Sequence, residues 1–412
     1  MRGKGKSSGA AGAIAANPIF WFAIALGFGD GCVRNFVPAT FPIFHLEMGT
    51  SLDQMGETQF LFYLSSLIFA IVGGPVLATI GLNWGAAMAV VMAAISLLFI
   101  GFAHQFGIVL VATAVLGFAI VAMVVIVSSI ITANFSEQRQ SIFLLSGLSD
   151  ASGSMVGPAV LGWWIVHSVA WRLSWRSGYF AASAALTVLI VGTLFIRLGD
   201  NNSILKSGRL KGVEQVMSHS AFYIAVALCF CHGLAQAGMV SFVGQLYIKK
   251  LQVDAAHAAY LLSLEAVGIL SGRLIFGALL SRFKIPELLM IGLCGAAEAT
   301  AFAATIISSA YFAGASMFLL AGFFMSAIGP SLNSYLGGRF KRHASSAFAL
   351  FAGLGNIGAA LGPFLIGKAG TDFGIEHGIF LAPVSAAVLS SIAIFWHLRE
   401  KRSLISTLKQ TA

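Results

Sequence analysis

Long apolar runs divided by short polar breaks make up almost the whole chain. A helix crosses a hydrocarbon core with about 20 apolar residues, each rising 1.5 Å. Twelve runs meet that length, at roughly 18–45, 55–80, 84–103, 106–134, 140–167, 173–197, 220–249, 255–281, 286–308, 310–336, 343–369 and 376–397. They are continuous and do not alternate, which predicts helices and argues against a β-barrel. The expected fold class is an all-α membrane protein of twelve transmembrane helices. The longest polar stretch, "LGDNNSILKSGRLKGVEQVMSH" (198–219), divides them six and six. The expected organisation is a disordered cytoplasmic tail at 1–17, six-helix bundles at 18–197 and 220–399, a cytoplasmic linker at 198–219 and a cytoplasmic tail at 400–412.

Composition agrees with the bilayer as solvent. Charged residues are 9% of the chain and hydrophobic ones 58%, where a soluble domain carries roughly a quarter charged. Forty-six glycines suit close helix packing. The net charge of +9 raises the question of a nucleic-acid partner. No basic block is long enough for one, and none is expected. With the N-terminus inside, basic residues divide eighteen to five across the membrane, Arg273 and Arg282 counted inside, Arg172 and Lys249 outside. That bias predicts cytoplasmic termini, in the cell (inner) membrane. The first run is too long and too charged for a signal peptide.

Cys32, Cys229, Cys231 and Cys294 all lie inside apolar runs, which predicts packing residues and neither a metal site nor disulfides. "GLGNIG" (353–358) fits the dinucleotide fingerprint but has no strand before it. No zinc-protease, nucleophile-elbow or phosphate-loop motif occurs. The chain is therefore not expected to be an enzyme or to hold a cofactor.

The halves repeat. "AIALGFGDG" (23–31) aligns with "AVALCFCHG" (225–233) at an offset of 202. "GSMVGPAVLG" (153–162) aligns with "GAALGPFLIG" (358–367) at 205, and "GPVLATIG" (74–81) with "GALLSRFK" (277–284) at 203. Duplicated bundles predict pseudo-symmetric halves with a site between them near the midplane.

Two such halves joined by a cytoplasmic linker resemble the major facilitator superfamily. "GRLIFGALLSRF" (272–283) is similar to that family's signature between spans eight and nine, a Gly followed after three residues by Asp-Arg. Gly277 and Arg282 match it, and Ser281 replaces the acid. In the first half Gly74 and Gly81 match, with Ala78 and Thr79 in place of Asp-Arg. "WRLSWRSGYF" (171–180) resembles the Trp-Arg-rich start of span six, and "MSAIGPSLNSYLGG" (325–338) faintly resembles the fucose-permease branch. The resemblance implies a central cavity lined by spans one, four, seven and ten, with spans three, six, nine and twelve peripheral. It implies a cytoplasmic gate, assigned here to Gly277, Arg282 and Arg273.

Charge inside the apolar runs marks the candidate chemistry, because each mid-helix charge costs about 2.5–3.5 kcal/mol on insertion scales. Asp30 and Arg34 stand four apart on one face of the first span. They are read as a substrate pair, with Asp30 also a proton carrier; the alternative is a static ion pair. His232 and Gln236 occupy the aligned positions of span seven. His232 either titrates or bonds a neighbouring helix. Asp150 and Glu265 are further proton-coupling candidates, or helix–helix partners. Glu298, on a peripheral span, is expected to be structural. Uncharged candidates are Gln59, Tyr63 and Ser66, then Ser326, Pro330 and Asn333, and finally Asn356.

The expected function is secondary active transport of a small polar solute, an organic anion or a sugar, by alternating access and proton symport. The site would be formed by spans one, five, seven, eight and ten, in a monomer with lipid, solute and a coupling proton as partners. The alternatives are an exporter of lipophilic compounds and a receptor or scaffold that transports nothing. Thr113 before Gly117, where proton-driven exporters of the family carry an arginine, speaks against the exporter.

Overall fold

A computed structural model describes residues 16–135, 139–171, 173–198, 213–283, 285–340 and 344–411. Most of the expected N-terminal tail and residues 199–212 of the linker lie outside the described residues. The described residues form helices and no strand. In the first half these are α1 (Pro18–Arg34), α2 (Phe36–Met48), α3 (Leu52–Ile80), α4 (Leu82–Phe102), α5 (Phe106–Asn134), α6 (Arg139–Ala170) and α7 (Arg176–Phe195). A short α8 (Val213–Met217) leads into the second half: α9 (Ser220–Leu251), α10 (Ala255–Arg282), α11 (Glu287–Ile307), α12 (Tyr311–Met325), α13 (Ile328–Arg339), α14 (Ala344–Phe373), α15 (Ile375–Gly378) and α16 (Leu381–Thr411). Among the described residues eight stretches, from Leu52–Gly73 to Ile375–Arg402, are long and apolar enough to cross a membrane. The other expected spans are present as α1 with α2, α6, α7 and α14. The result is the expected twelve-helix, two-domain bundle.

Prolines explain where the spans break. Pro38 has no N–H to offer the carbonyl of Arg34, and the first span opens there, at Asn35 (φ −97°, ψ 6°). Pro330 likewise deprives the carbonyl of Ser326, and the tenth span breaks between α12 and α13. Pro158 and Pro363 sit inside α6 and α14 at matching places of the repeat.

Packing repeats as the sequence does. In the first half α1 lies on α6, α3 on α5 and α4 on α7; in the second α9 lies on α14, α10 on α12 and α11 on α16. The aligned glycines bring two of these helix pairs backbone to backbone. A Cβ on Gly153 or Gly157 would strike the carbonyls of Phe28 or Cys32, and one on Gly358 or Gly362 those of Phe230 or Leu234. These contact pairs carry the two offsets of the alignment, 205 on the glycine side and 202 on the other. "GLGNIG" accordingly lies within α14, where Gly355 and Gly358 meet α9.

The halves meet through α3 against α14, α6 against α10, and α2 against α9 and α10. Many of these contacts gather at the end where α3 begins. The backbone N–H of Asp53 donates to Thr371 Oγ1 (3.1 Å), and Phe60 packs on Phe364 and Phe41 on Phe242 at 5.5 and 6.3 Å between ring centroids.

Candidate functional site

A cavity of ≈ 310 Å³ lies between the halves. α1, α3, α5 and α6 line it from one side and α9, α10 and α14 from the other. Its polar lining is Arg34, Asn35, Tyr63, Ser66, Asp150 and Ser154, facing His232, Gln236, Glu265, Arg273 and Asn356. A larger recess of ≈ 570 Å³ between α1, α6 and α7 is walled by Trp21, Phe28, Trp164 and aliphatic groups and has no charged residue. The central cavity is therefore the place for polar chemistry.

In the first half Arg34 organises the charge. Its Nη2 donates to Asp30 Oδ2, one helical turn back, and to Asp150 Oδ1 on α6 at 2.9 Å. Asp30 is 2% exposed and sits in an adjoining recess with Gly27, Ser146 and Gly147, behind the cavity wall. Asp150 reaches both spaces. Gly31, packed against the Asp150 backbone, brings α1 and α6 close enough for one guanidinium to serve both carboxylates.

In the second half Arg273 faces the same cavity. Its Nη1 donates to the backbone carbonyl of Gly147 at 2.7 Å. Glu265, Ile269 and Arg273 all line the cavity and stand at i, i+4 and i+8 on α10. Gln236 lies against Glu265. His232 looks toward Glu298 of α11, with Nδ1 3.9 Å from Oε2.

The structure thus brings together Arg34, Tyr63, Asp150, His232, Gln236, Glu265 and Asn356 around one cavity. Asp30 joins them through Arg34. Asn333 is exposed on α13 and is not among the lining residues, while Gln59 is buried away from the cavity. Ser326 is turned onto the Phe323 carbonyl at 2.7 Å. The tenth span supplies no lining residue; α3, α5 and α14 take its place. Gly277 and Arg282 are exposed near the end of α10, but Arg273, grouped with them in the sequence, belongs to the cavity. The signal for it was present, since it shares a helical stripe with Glu265 eight residues earlier. The side chains of Ala78 and Ser281 lie outside what the structure describes.

The family model described as Major Facilitator Superfamily matches residues 19–363 and 227–411. Among solved structures, a variant of the nucleoside transporter NupG is similar, with TM-score 0.72 and 14% identity over 91% of this chain and 99% of that one. A bacterial homolog to the human lysosomal transporter Spinster, inward-facing and unoccupied, gives 0.71 and 14% over 92% and 94%. A variant of the E. coli fucose:proton symporter FucP gives 0.62 and 17% over 91% and 98%. At these identities the likeness is one of fold. A search of curated protein sequences finds no match.

Proposed function

This chain belongs to the major facilitator superfamily, and we propose that it moves a small organic anion across the cell (inner) membrane by proton-coupled symport. The observation that carries this reading is the central cavity, which presents two guanidinium groups and lies between the two halves. Arg34 already serves two carboxylates, whereas the hydrogen bond of Arg273 goes to a neutral carbonyl. A ligand carboxylate is a stronger acceptor than that carbonyl. Tyr63, Gln236 and Asn356 add neutral groups that fix orientation. A sugar is the second reading, favoured by the same neutral groups and by Asp150. A lipophilic substrate fits a cavity with this many charges poorly. The distribution of basic residues supports cytoplasmic termini, and the working unit in this reading is a monomer.

Alternating access requires that the solute bind one arrangement of the halves better than the other. Arg273 reaches from α10 to α6, so a carboxylate that takes its donors removes a bond between the halves. The test is uptake of radiolabelled carboxylates and sugars by proteoliposomes under an imposed proton gradient. Accumulation of a carboxylate supports the reading. Accumulation of neutral sugars alone replaces the anion with a sugar, and gradient-independent export of lipophilic cations overturns both.

A further inference from the structure

Glu298, in the middle of α11, is 0% exposed, and neither carboxyl oxygen has a hydrogen-bond partner. An ionised carboxylate in such a place gives up its hydration and receives no donor in return. The neutral acid, or a carboxylate facing an imidazolium, is what the site tolerates.

His232 supplies the second possibility. It approaches from α9, and its Nδ1 is likewise buried without a hydrogen-bond partner. The opposite side of the story is exposure: the same histidine lines the central cavity. Glu265 of α10, which also lines the cavity, is the other acid near Glu298. Cys294 lies one turn back on α11 itself. From α12, α13 and α16, which cover the remaining sides, no titratable side chain reaches Glu298 among the described residues.

We propose that Glu298 is the carboxyl that carries the coupling proton, loaded and unloaded through His232. The inference rests on the transport reading. His232 takes a proton at Nε2 from a hydronium ion in the cavity, leaving water and an imidazolium. The Nδ1–H bond then breaks as an O–H bond forms at Glu298 Oε2, leaving a neutral imidazole and a neutral acid. The separation of 3.9 Å exceeds hydrogen-bond reach, so transfer follows a turn of the ring or one bridging water. Discharge runs in reverse and leaves a bare carboxylate. It therefore requires an arrangement of the second half in which water reaches α11, and this ties proton release to the change of state.

Infrared titration of the whole protein in liposomes, without any solute, tests the pair. The wild type should show a protonated-carboxyl carbonyl band that fades as pH is raised between roughly 5 and 9. Glu298→Gln should remove that band, and Glu265→Gln should leave it. His232→Gln should keep it but move its midpoint by about one pH unit or more. A band unchanged by Glu298→Gln, or a Glu298 band that does not vary with pH in the wild type, overturns the inference. If Glu298→Gln does not fold, Glu298→Asp with His232→Gln decides: an unmoved midpoint in both also overturns it. A titrating Glu298 in a protein that takes up no anion sinks only the transport reading. Anion uptake with a non-titrating Glu298 sinks only this one.

Discussion

Arg273 of α10 and the carbonyl of Gly147 on α6 are joined by a 2.7 Å hydrogen bond across the interface of the two halves. A guanidinium held by a neutral acceptor at a cavity wall is available to a stronger one. Arg273→Ala should weaken binding of a carboxylate ligand about 10- to 100-fold, the range for hydrogen bonds to charged groups of about 1.5–3 kcal/mol. Arg273→Lys keeps the charge but loses the fork and should recover only part of that loss. Thermal-shift titrations with the transported carboxylate measure both, since a ligand of the folded state raises its melting temperature. Equal affinity in wild type and Arg273→Ala would remove this residue from the site.

Arg34 behaves differently, because its partners are charged. Removing it leaves Asp30 and Asp150 side by side, with Asp30 buried. Arg34→Ala should therefore cost stability, of the order of 3 kcal/mol. Adding Asp30→Asn removes one of the stranded charges and should restore much of it, so the double variant is more stable than the single one. Melting curves of the four members of this cycle give the coupling directly. Additive effects would mean that the three side chains do not act as a unit.

The two repeats make a paired prediction about packing. Gly157 and Gly362 are equivalent, and at each a Cβ would run into the backbone of the neighbouring helix, at Cys32 and Leu234. Backbone cannot move aside as a flexible side chain does. Gly157→Ala and Gly362→Ala should each destabilise by about 1–3 kcal/mol. Gly277 has nothing within 4 Å of the same atom. Gly277→Ala should leave the melting temperature where it is, so that any loss of uptake in it reports on the gate alone. A Gly277→Ala variant that melts with the other two would contradict the open surroundings seen there.

What could be read from the sequence follows from what the bilayer penalises. Apolar length and internal repetition are written residue by residue, so the spans and the halves were legible. Buried charge is costly enough that Asp30, Arg34, Asp150, His232 and Glu265 were visible as exceptions. Less visible was how broken spans turn. The opening caused by Pro330 leaves Asn333 on an exposed face, although its spacing from Ser326 and Pro330 suggested a cavity stripe. Arg273 lies nine residues before the end of α10, and only the stripe it shares with Glu265 points inward. The proximity of Glu298 to His232 depends on α11 approaching α9, a contact no spacing rule supplies.

The ends of the cavity differ, and chemical labelling can read the difference. At the end where α3 begins, Phe41 packs on Phe242, Phe60 on Phe364, and Asp53 bonds Thr371. On the proposed topology, with cytoplasmic termini, this is the outer end, and the expected arrangement is one closed outside and reached from inside. In a background with the four native cysteines replaced, Cys229 of the cavity wall included, Asn356→Cys should react with a charged, impermeant maleimide in inside-out vesicles and resist it in intact cells. Glu376→Cys, exposed on α15 beyond the outer end of α14, should show the reverse. Adding the transported solute should slow labelling at 356 by occupying the cavity and leave 376 unchanged. Labelling of 356 only from the outside, with 376 reached only from inside, would invert the orientation. Reaction of 356 from both sides at equal rates would show that the outer seal opens as often as it closes.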